Sequence, residues 1–476
     1  MPDGGVLSTA AGSLRYVGHS AFLSAKGLAI RQLRGGAAFR ARLAELEESQ
    51  WAPMSVKQAA QDARLRALVR HAYETVPYYR RSFDRHGVVP QEIDGVDDLP
   101  RLPTLDRAAI RANPDDFVAR GQSQRLIATG WTTGTTGAPL GVRRTLDSIV
   151  FDKAILARQR RWSGVDIHDR NVAIWGTIWS NVIVPRAVRS PPFWRFNAAD
   201  NQLLFSYYHL SDKTLPLFVD KLRDFRPAYI EGFPSTMLAF ARFLAKRGEV
   251  VPVRAVFTSS EPLYAGHRRE IEAAFATTVY DYYGHAERTV TAAECPHGSM
   301  HVNPEYGVLE ILQGDAPAPA GQGGEIVGTG LTNFGMPLIR YRTGDMSRTV
   351  AGPCPCGRET PLIGAVEGRA ADFIRTSDGR LMPGDGVMEV FYGIDNVKES
   401  QVVQEAVDRL VVKLVTDDAS APVDERRLRS NLARCLGPNM DVSIEYHQSI
   451  WDQGEMKKRW VVSKIGAGLD SIGGGV

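Results

Sequence analysis

The sequence predicts an α/β protein. Its large N-terminal domain has mainly parallel sheets flanked by helices and a β-rich subdomain, and a small α+β lid domain follows at the C-terminus. Three observations predict this. Between residues 216 and 284, short apolar runs alternate with stretches of helical periodicity, the rhythm of βαβ units. From residue 301 the chain turns to short strand-like runs divided by Gly/Pro turns. After Gly368-Arg369-Ala370-Ala371-Asp372 a last block mixes strands with one helix. The expected boundaries are a helical extension over 1–54, a large domain over 55–368 with its β-rich part from about 300, and a small domain over 369–476.

Residues 17–50 have the spacing of helix, as in Phe39-Arg40-Ala41-Arg42-Leu43. Ser55 is placed to cap a helix running through Leu65 and Val69 to about Tyr78, and Thr104 to cap another after Pro103. Helices are expected over 146–162, 217–225, 235–247, 267–275 and 423–435. Strands are expected at 171–176, 228–232, 255–260 and 279–284, then at 301–303, 307–312, 324–328 and 338–342. The last block adds strands at 395–405, 410–416 and 442–446. In an open parallel sheet, ligands sit beyond the carboxyl ends of the strands, which brings Ser259-Ser260-Glu261 and Tyr283-Gly284 to one crevice.

Composition excludes several classes. A net charge of +3 over 476 residues argues against nucleic acid or an anionic membrane as partner. No apolar run reaches the length of a membrane span, and the N-terminus does not read as a secretory signal, so a cytoplasmic location is expected. Four cysteines are too few for a disulfide scaffold and point to a metal or to reactive chemistry. Aromatic residues crowd the stretch 174–208: Trp175, Trp179, Phe193, Trp194, Phe196, Phe205, Tyr207 and Tyr208. They read as core and loop anchors, with the alternative that some wall an organic pocket.

The stretch with most chemistry is Trp131-Thr132-Thr133-Gly134-Thr135-Thr136-Gly137-Ala138-Pro139-Leu140-Gly141. Its glycines let the backbone approach a ligand, successive N–H groups can form an anion nest, and the threonine hydroxyls add donors. It is not the G-x-x-x-x-G-K-[ST] loop. Further along stand Tyr283-Gly284-His285-Ala286-Glu287, Tyr341-Arg342-Thr343-Gly344-Asp345, Gly368-Arg369 and Met456-Lys457-Lys458-Arg459-Trp460.

In this order these stretches resemble the adenylate-forming superfamily of acyl-CoA synthetases and peptide-synthetase adenylation domains, over roughly 55–465. Val76-Pro77-Tyr78-Tyr79-Arg80, Met300-His301-Val302-Asn303-Pro304 and Cys354-Pro355-Cys356-Gly357-Arg358 resemble the phenylacetate–CoA ligase-like branch, which includes many capsular polysaccharide proteins. The resemblance implies ATP-dependent activation of a carboxylic acid, aryl or arylalkyl, as an acyl-adenylate. Pyrophosphate leaves, and transfer to coenzyme A follows. An amine, a carrier-protein thiol or another small nucleophile is the alternative acceptor, and an inactive scaffold the remaining one.

By the same resemblance, Thr132, Thr133, Gly134, Thr135, Thr136 and Gly137 hold phosphates, and Glu287 holds Mg²⁺. Ser260, Glu261, Pro262, Asp281, Tyr282, Tyr283 and Gly284 face adenine, and Asp345 takes the ribose hydroxyls. Arg369 contacts ribose or phosphate, and Lys457, with Lys458 as its neighbour, is the mobile catalytic lysine. Trp175, Gly232 and His285 are assigned to the acid pocket. The chain departs from the pattern at Leu140, where many relatives carry Lys, and at Ala371, where a polar hinge residue is usual. The small domain is expected to move, and the assembly leaves room for a homodimer.

Cys295, His301, Cys354 and Cys356 form a Cys₃His set suited to structural Zn²⁺, as some relatives in this branch carry. His297 is the rival histidine, and Cys435 reads as core.

Overall fold

The structure is a computed structural model. It describes residues 4–121, 127–131, 140–174, 190–206, 209–211, 213–367, 373–377, 381–383, 387–391, 393–450 and 459–465. The chain opens with helices α1 (Gly4–Arg34), α2 (Ala37–Ser49), α3 (Met54–Thr75), α4 (Pro77–His86) and α5 (Arg107–Ala112). The single helix expected from Ser55 to Tyr78 is two. Pro77 has no N–H to continue the ladder and pushes Val76 to φ −107°, ψ 114°, so one helix stops and the next starts there. Neither expected cap is used. Pro53 precedes α3 without a side-chain cap, and Asp106 rather than Thr104 caps α5, accepting from Ala109 N at 2.7 Å.

The antiparallel hairpin of β1 (Ile127–Trp131) and β2 (Gly141–Thr145) carries the Thr/Gly loop, whose residues 132–139 lie outside the described ones. Thr145 then caps α6 (Leu146–Trp162) by accepting from Ser148 N. Leu140 is buried beside Val142, Leu105 and Met336, which anchors the end of the loop in apolar packing.

The βαβ region follows as β3 (Asn171–Ile174), β4 (Trp194–Asn197), β5 (Gln202–Phe205), α7 (Leu215–Phe225), β6 (Tyr229–Gly232), α8 (Pro234–Lys246), β7 (Ala255–Ser259), α9 (Ala265–Phe275) and β8 (Val279–Gly284). Strands β5, β3, β6, β7 and β8 are parallel neighbours, and β4 closes this edge antiparallel to β5. Phe218 and Leu222 of α7, Phe240 and Leu244 of α8, and Ile271 and Phe275 of α9 bury against Val172, Ile230 and Val256. Phe193 and Phe205 belong to the same core, with Trp194 and Phe196 packed on it; these four of the crowded aromatics are core. Trp179, Tyr207 and Tyr208 lie outside the described residues.

The β-rich part is not a separate sheet. β9 (Thr291–Glu294) pairs antiparallel with β8 and continues through β10 (Met300–Val302), β15 (Leu362–Ile363), β14 (Tyr341–Val350), β13 (Gly323–Gly330) and β11 (Gly307–Gln313) to β12 (Ala316–Pro317). Among the described residues this makes one 13-stranded sheet. Leu338 and Ile339, expected to open a strand, fill the core under α3 and α4 instead, and β14 begins at Tyr341.

At the C-terminus a hairpin, β16 (Phe373–Arg375) with β17 (Leu381–Pro383), precedes a four-stranded sheet. That sheet consists of β18 (Val397–Ala406), β19 (Arg409–Thr416), β20 (Asp441–Tyr446) and β21 (Val461–Ser463), covered by α10 (Glu425–Leu436). Leu238 and Tyr264 of the large domain share one apolar cluster with Val402, Leu428, Leu432 and Trp460 of this unit. Cys435 packs at the edge of that cluster.

A buried charge ties the N-terminal helices to this body. Arg158 of α6 is 3% exposed and donates to Glu305 Oε1 (2.9 Å), Asn303 Oδ1 (2.7 Å) and Leu46 O (3.1 Å). Ser49 of α2 donates to the same carboxylate. Removing one partner strands a buried charge, whereas apolar replacement of both does not. Glu305→Ala is expected to cost about 3 kcal/mol in urea denaturation, and the pair Arg158→Met with Glu305→Leu to recover most of it.

Candidate functional site

Parallel β6, β7 and β8 end on the same side, so Gly232, Ser259 and Gly284 stand around one mouth. Gly232 is buried, and a Cβ there would lie 2.5 Å from Met237 Cε and 3.0 Å from Ile174 O; its lack of a side chain makes room for Met237 of α8 and the end of β3. Ser260 is exposed with φ 73°, a left-handed turn that projects it from the end of β7. Glu261 is buried and faces the protein: its carboxylate accepts from Ser235 N (3.0 Å) and Oγ (3.1 Å) at the start of α8. Asp281 also faces inward, accepting from Thr258 Oγ1 at 2.7 Å. Burial, with the Glu294 carboxylate beside it, pushes the Asp281 carboxyl up to about 7. Pro262, half-buried, closes the turn.

Beyond β8, two carboxylates form a connected polar floor. Tyr341 donates to Glu287 Oε1 at 2.7 Å, and Tyr283 donates to Asp345 Oδ2 at 2.9 Å. A tyrosine from each of β8 and β14 thus holds the acid that follows the other strand's tyrosine. His285 Nδ1 is 3.3 Å from Glu287 Oε2, and its Nε2 meets Thr289 Oγ1 at 3.0 Å, so this ring is engaged by the floor. Burial alone would raise the Glu287 carboxyl; the His285 ring and the Tyr341 hydroxyl outweigh it and bring it to about 2. Asp345 is aimed by local backbone. Gly344 adopts φ 76°, its N–H reaches Glu325 Oε1, and Thr343 Oγ1 accepts from Asp345 N.

Arginines border this floor. Arg107 Nη1 lies 3.9 Å from Glu287 Oε1. Arg144, on β2 just after the Thr/Gly loop, donates to Ala286 O. Burial and the neighbouring Arg288 lower the Arg144 guanidinium to about 10. Tyr282 is half-buried and packs on the cluster formed by α6 and α2, on the other side from Tyr283.

A second constellation gathers Cys295, His301, Cys354 and Cys356, whose donor atoms all lie within 4.8 Å of one another. Cys295 Sγ is 3.6 Å from Cys354 Sγ, and Cys356 Sγ is 3.3 Å from His301 Nε2. Thr360 Oγ1 holds His301 Nδ1 at 2.8 Å, which orients Nε2 toward the thiols. His297 is exposed and outside the cluster. These spacings match a tetrahedral site, where Zn–S bonds of about 2.3 Å put sulfurs about 3.8 Å apart.

Thr132, Thr133, Gly134, Thr135, Thr136, Gly137, Trp175, Arg369, Ala371, Lys457 and Lys458 lie outside the described residues. The sequence motifs gave no role to Tyr341, Arg107 or Arg144. Tyr341 sits in the same motif as Asp345, but its partner is 54 residues away, and no spacing signals that.

Because the folded-state value of Glu287 lies below its ordinary 4.5, the stability this carboxylate contributes is whole above pH 4.5 and is lost as pH falls toward 2. Tyr341→Phe is expected to cost about 1–2 kcal/mol at pH 7 and less near pH 2. Urea denaturation at both pH values measures this.

Several known proteins are similar to the chain. Residues 374–464 match the CapK C-terminal domain. Protein CapK of Staphylococcus aureus is 26% identical over 412 residues, spanning 85% of this chain and 89% of that protein. The phenylacetate-coenzyme A ligase of Thermus thermophilus is 26% identical over 422 residues, 83% of this chain and 92% of that one. The Escherichia coli phenylacetate-coenzyme A ligase is 26% identical over 425 residues, 84% and 93% of the two chains. Among solved structures, 2-hydroxyisobutyryl-CoA ligase in its postadenylation state superposes with a TM-score of 0.71 at 20% identity, covering 88% of this chain and 92% of that one. The chain is therefore a relative of the phenylacetate-coenzyme A ligases and of CapK, built on the fold of the adenylate-forming ligases.

Proposed function

We propose that this protein is an AMP-forming acid–CoA ligase. It activates a small carboxylic acid as the acyl-adenylate, releases pyrophosphate, and passes the acyl group to coenzyme A. The observation that carries the proposal is the joined pair of acids, Glu287 and Asp345, fixed by Tyr341 and Tyr283 beside the Thr/Gly hairpin. Relatives named as phenylacetate-coenzyme A ligases along most of the chain support it.

The chemistry sets the requirements. A carboxylate oxygen attacks the α-phosphorus and the bond to the bridging oxygen of pyrophosphate breaks. Nucleophile and phosphate are both anionic, so the site must neutralise charge and fix geometry. Residues 132–137 hold the β- and γ-phosphates through backbone N–H and hydroxyl donors. Glu287, buried and ionised, fits Mg²⁺, a hard cation that favours carboxylate and phosphate oxygens and neutralises charge when bound. Asp345 accepts from the ribose hydroxyls, and Arg369 contacts ribose or phosphate. Ser260 and the backbone of 281–284 border the base. Lys457 carries the cation that faces the developing charge on the α-phosphate and carboxylate oxygens. Trp175 and the Gly232 strand end border the acid, which we take to be aryl or arylalkyl. The lid begins at Arg369.

The Cys₃His cluster holds a structural Zn²⁺. Its four donors leave no position for substrate, and it fastens the 295–301 turn to the 354–360 loop.

Pyrophosphate exchange with a panel of acids, without coenzyme A, tests adenylation; an acceptor panel of coenzyme A, amines and carrier protein tests the second step. Lys457→Ala is expected to lower exchange about 100-fold and Lys458→Ala only slightly. Asp345→Ala is expected to raise KM for ATP about tenfold, and normal exchange by that variant would sink the nucleotide assignment. For the metal, elemental analysis is expected to find one zinc per chain, lost with Cys354→Ala alongside a lowered Tm.

A further inference from the structure

Helix α1 packs the wrong way round for a helix on a water-facing surface. Normally the apolar stripe faces the protein and the polar side faces solvent. Here the protein side is largely polar. Ser20 Oγ accepts from Phe196 N (3.2 Å) and Ser24 Oγ from Ala198 N (2.9 Å), so two serines satisfy N–H groups on the open edge of β4 and in the turn just after it. Arg195 Nε donates to His19 Nδ1, and Arg31 donates to Ala199 O at 2.7 Å. Only Leu23 is buried as an apolar anchor on this side among the described residues, and Gly27 lets the helix come close: a Cβ there would lie 2.5 Å from Asn197 Oδ1.

The outward side is apolar. Val17, Phe22 and Leu28 are 62%, 61% and 58% exposed, more than any other large hydrophobic among the described residues. With exposed Ala21, Ala25 and Ala29 they lie within an arc of roughly 140° at 100° per residue, interrupted only by exposed Gln32 and by Gly18. Exposed Lys26 borders that arc on the flank away from the Arg31–Ala199 bond, where its long cationic side chain can reach an anionic plane while the arc lies below it. The sequence of residues 4–34 contains Arg15, Lys26, Arg31 and Arg34 and no acid. This one segment holds more positive charge than the whole chain's +3, which hides the asymmetry.

We propose that the outer face of α1 docks on an anionic lipid bilayer surface, holding the protein peripherally. Charge decides the occupant. A second copy would set one acid-free cationic helix against another, whereas anionic headgroups complement it. No helix of the described residues is long and apolar enough to cross a membrane, so the contact is interfacial.

The test is co-sedimentation of the full chain with vesicles of phosphatidylcholine alone or mixed with phosphatidylglycerol. Binding is expected only to the mixed vesicles and to fall with added salt. A variant combining Val17→Ser, Phe22→Ser and Leu28→Ser is expected to bind about tenfold more weakly with an unchanged Tm, because these side chains make no core. Lys26→Glu is expected to weaken binding without any apolar loss. Three results would overturn the proposal: no pelleting with mixed vesicles, undiminished pelleting of the triple variant, or a solution dimer that the triple variant dissolves.

Discussion

Two acids, buried Glu287 and half-buried Asp345, are each held by a tyrosine from the other's strand, and the mouth of the parallel strands depends on that crossing. Burial by itself drives a carboxyl toward its neutral form. At Glu287 the His285 ring, and after it the Tyr341 hydroxyl from β14, counter it, while Tyr283 from β8 holds Asp345 in place. The arrangement also locks the two strands' ends to each other, although β9, β10 and β15 lie between them in the sheet. The His285 ring, Thr289 and the Gly344 turn then follow as supports that hold each oxygen in place.

Much of the fold was legible because its signals are local. The helix expected over 146–162 has those bounds, and the strand over 279–284 likewise, since long periodic runs flanked by polar turns leave little choice. Local chemistry also explains the misses. Pro77 divides a stretch whose apolar period runs on unbroken, and Asp106, the stronger capping type and the one next to the helix start, caps α5 in place of Thr104. The junction of parallel and antiparallel halves at β8 and β9 was not legible, because a pairing between strands carries no mark in either one.

The site was legible in the same uneven way. Soft donors are rare, so the Cys₃His set stood out despite the long stretch from Cys295 to Cys356, and the structure brings all four together. Carboxylates are common, and Glu261 and Asp281 show the difficulty: both fall in stretches expected to face a nucleotide, yet one fastens α8 and the other bonds Thr258 inside. Direction of a side chain is set by packing, which a motif does not encode. Glu287 and Asp345 differ because a tyrosine from another strand meets each of them at the opening.

The apolar cluster shared between the two domains has a consequence for motion. Leu238 and Tyr264 of the large domain are almost fully shielded from solvent in a cluster with the small one, and the His267 ring lies tilted against Trp460, 5.2 Å between centroids. Any reorientation of the small domain must wet those surfaces before new ones dry. A second pose of the small domain would therefore carry a hydration penalty, and a change of one side chain at this seam would alter that penalty without touching Glu287 or Asp345.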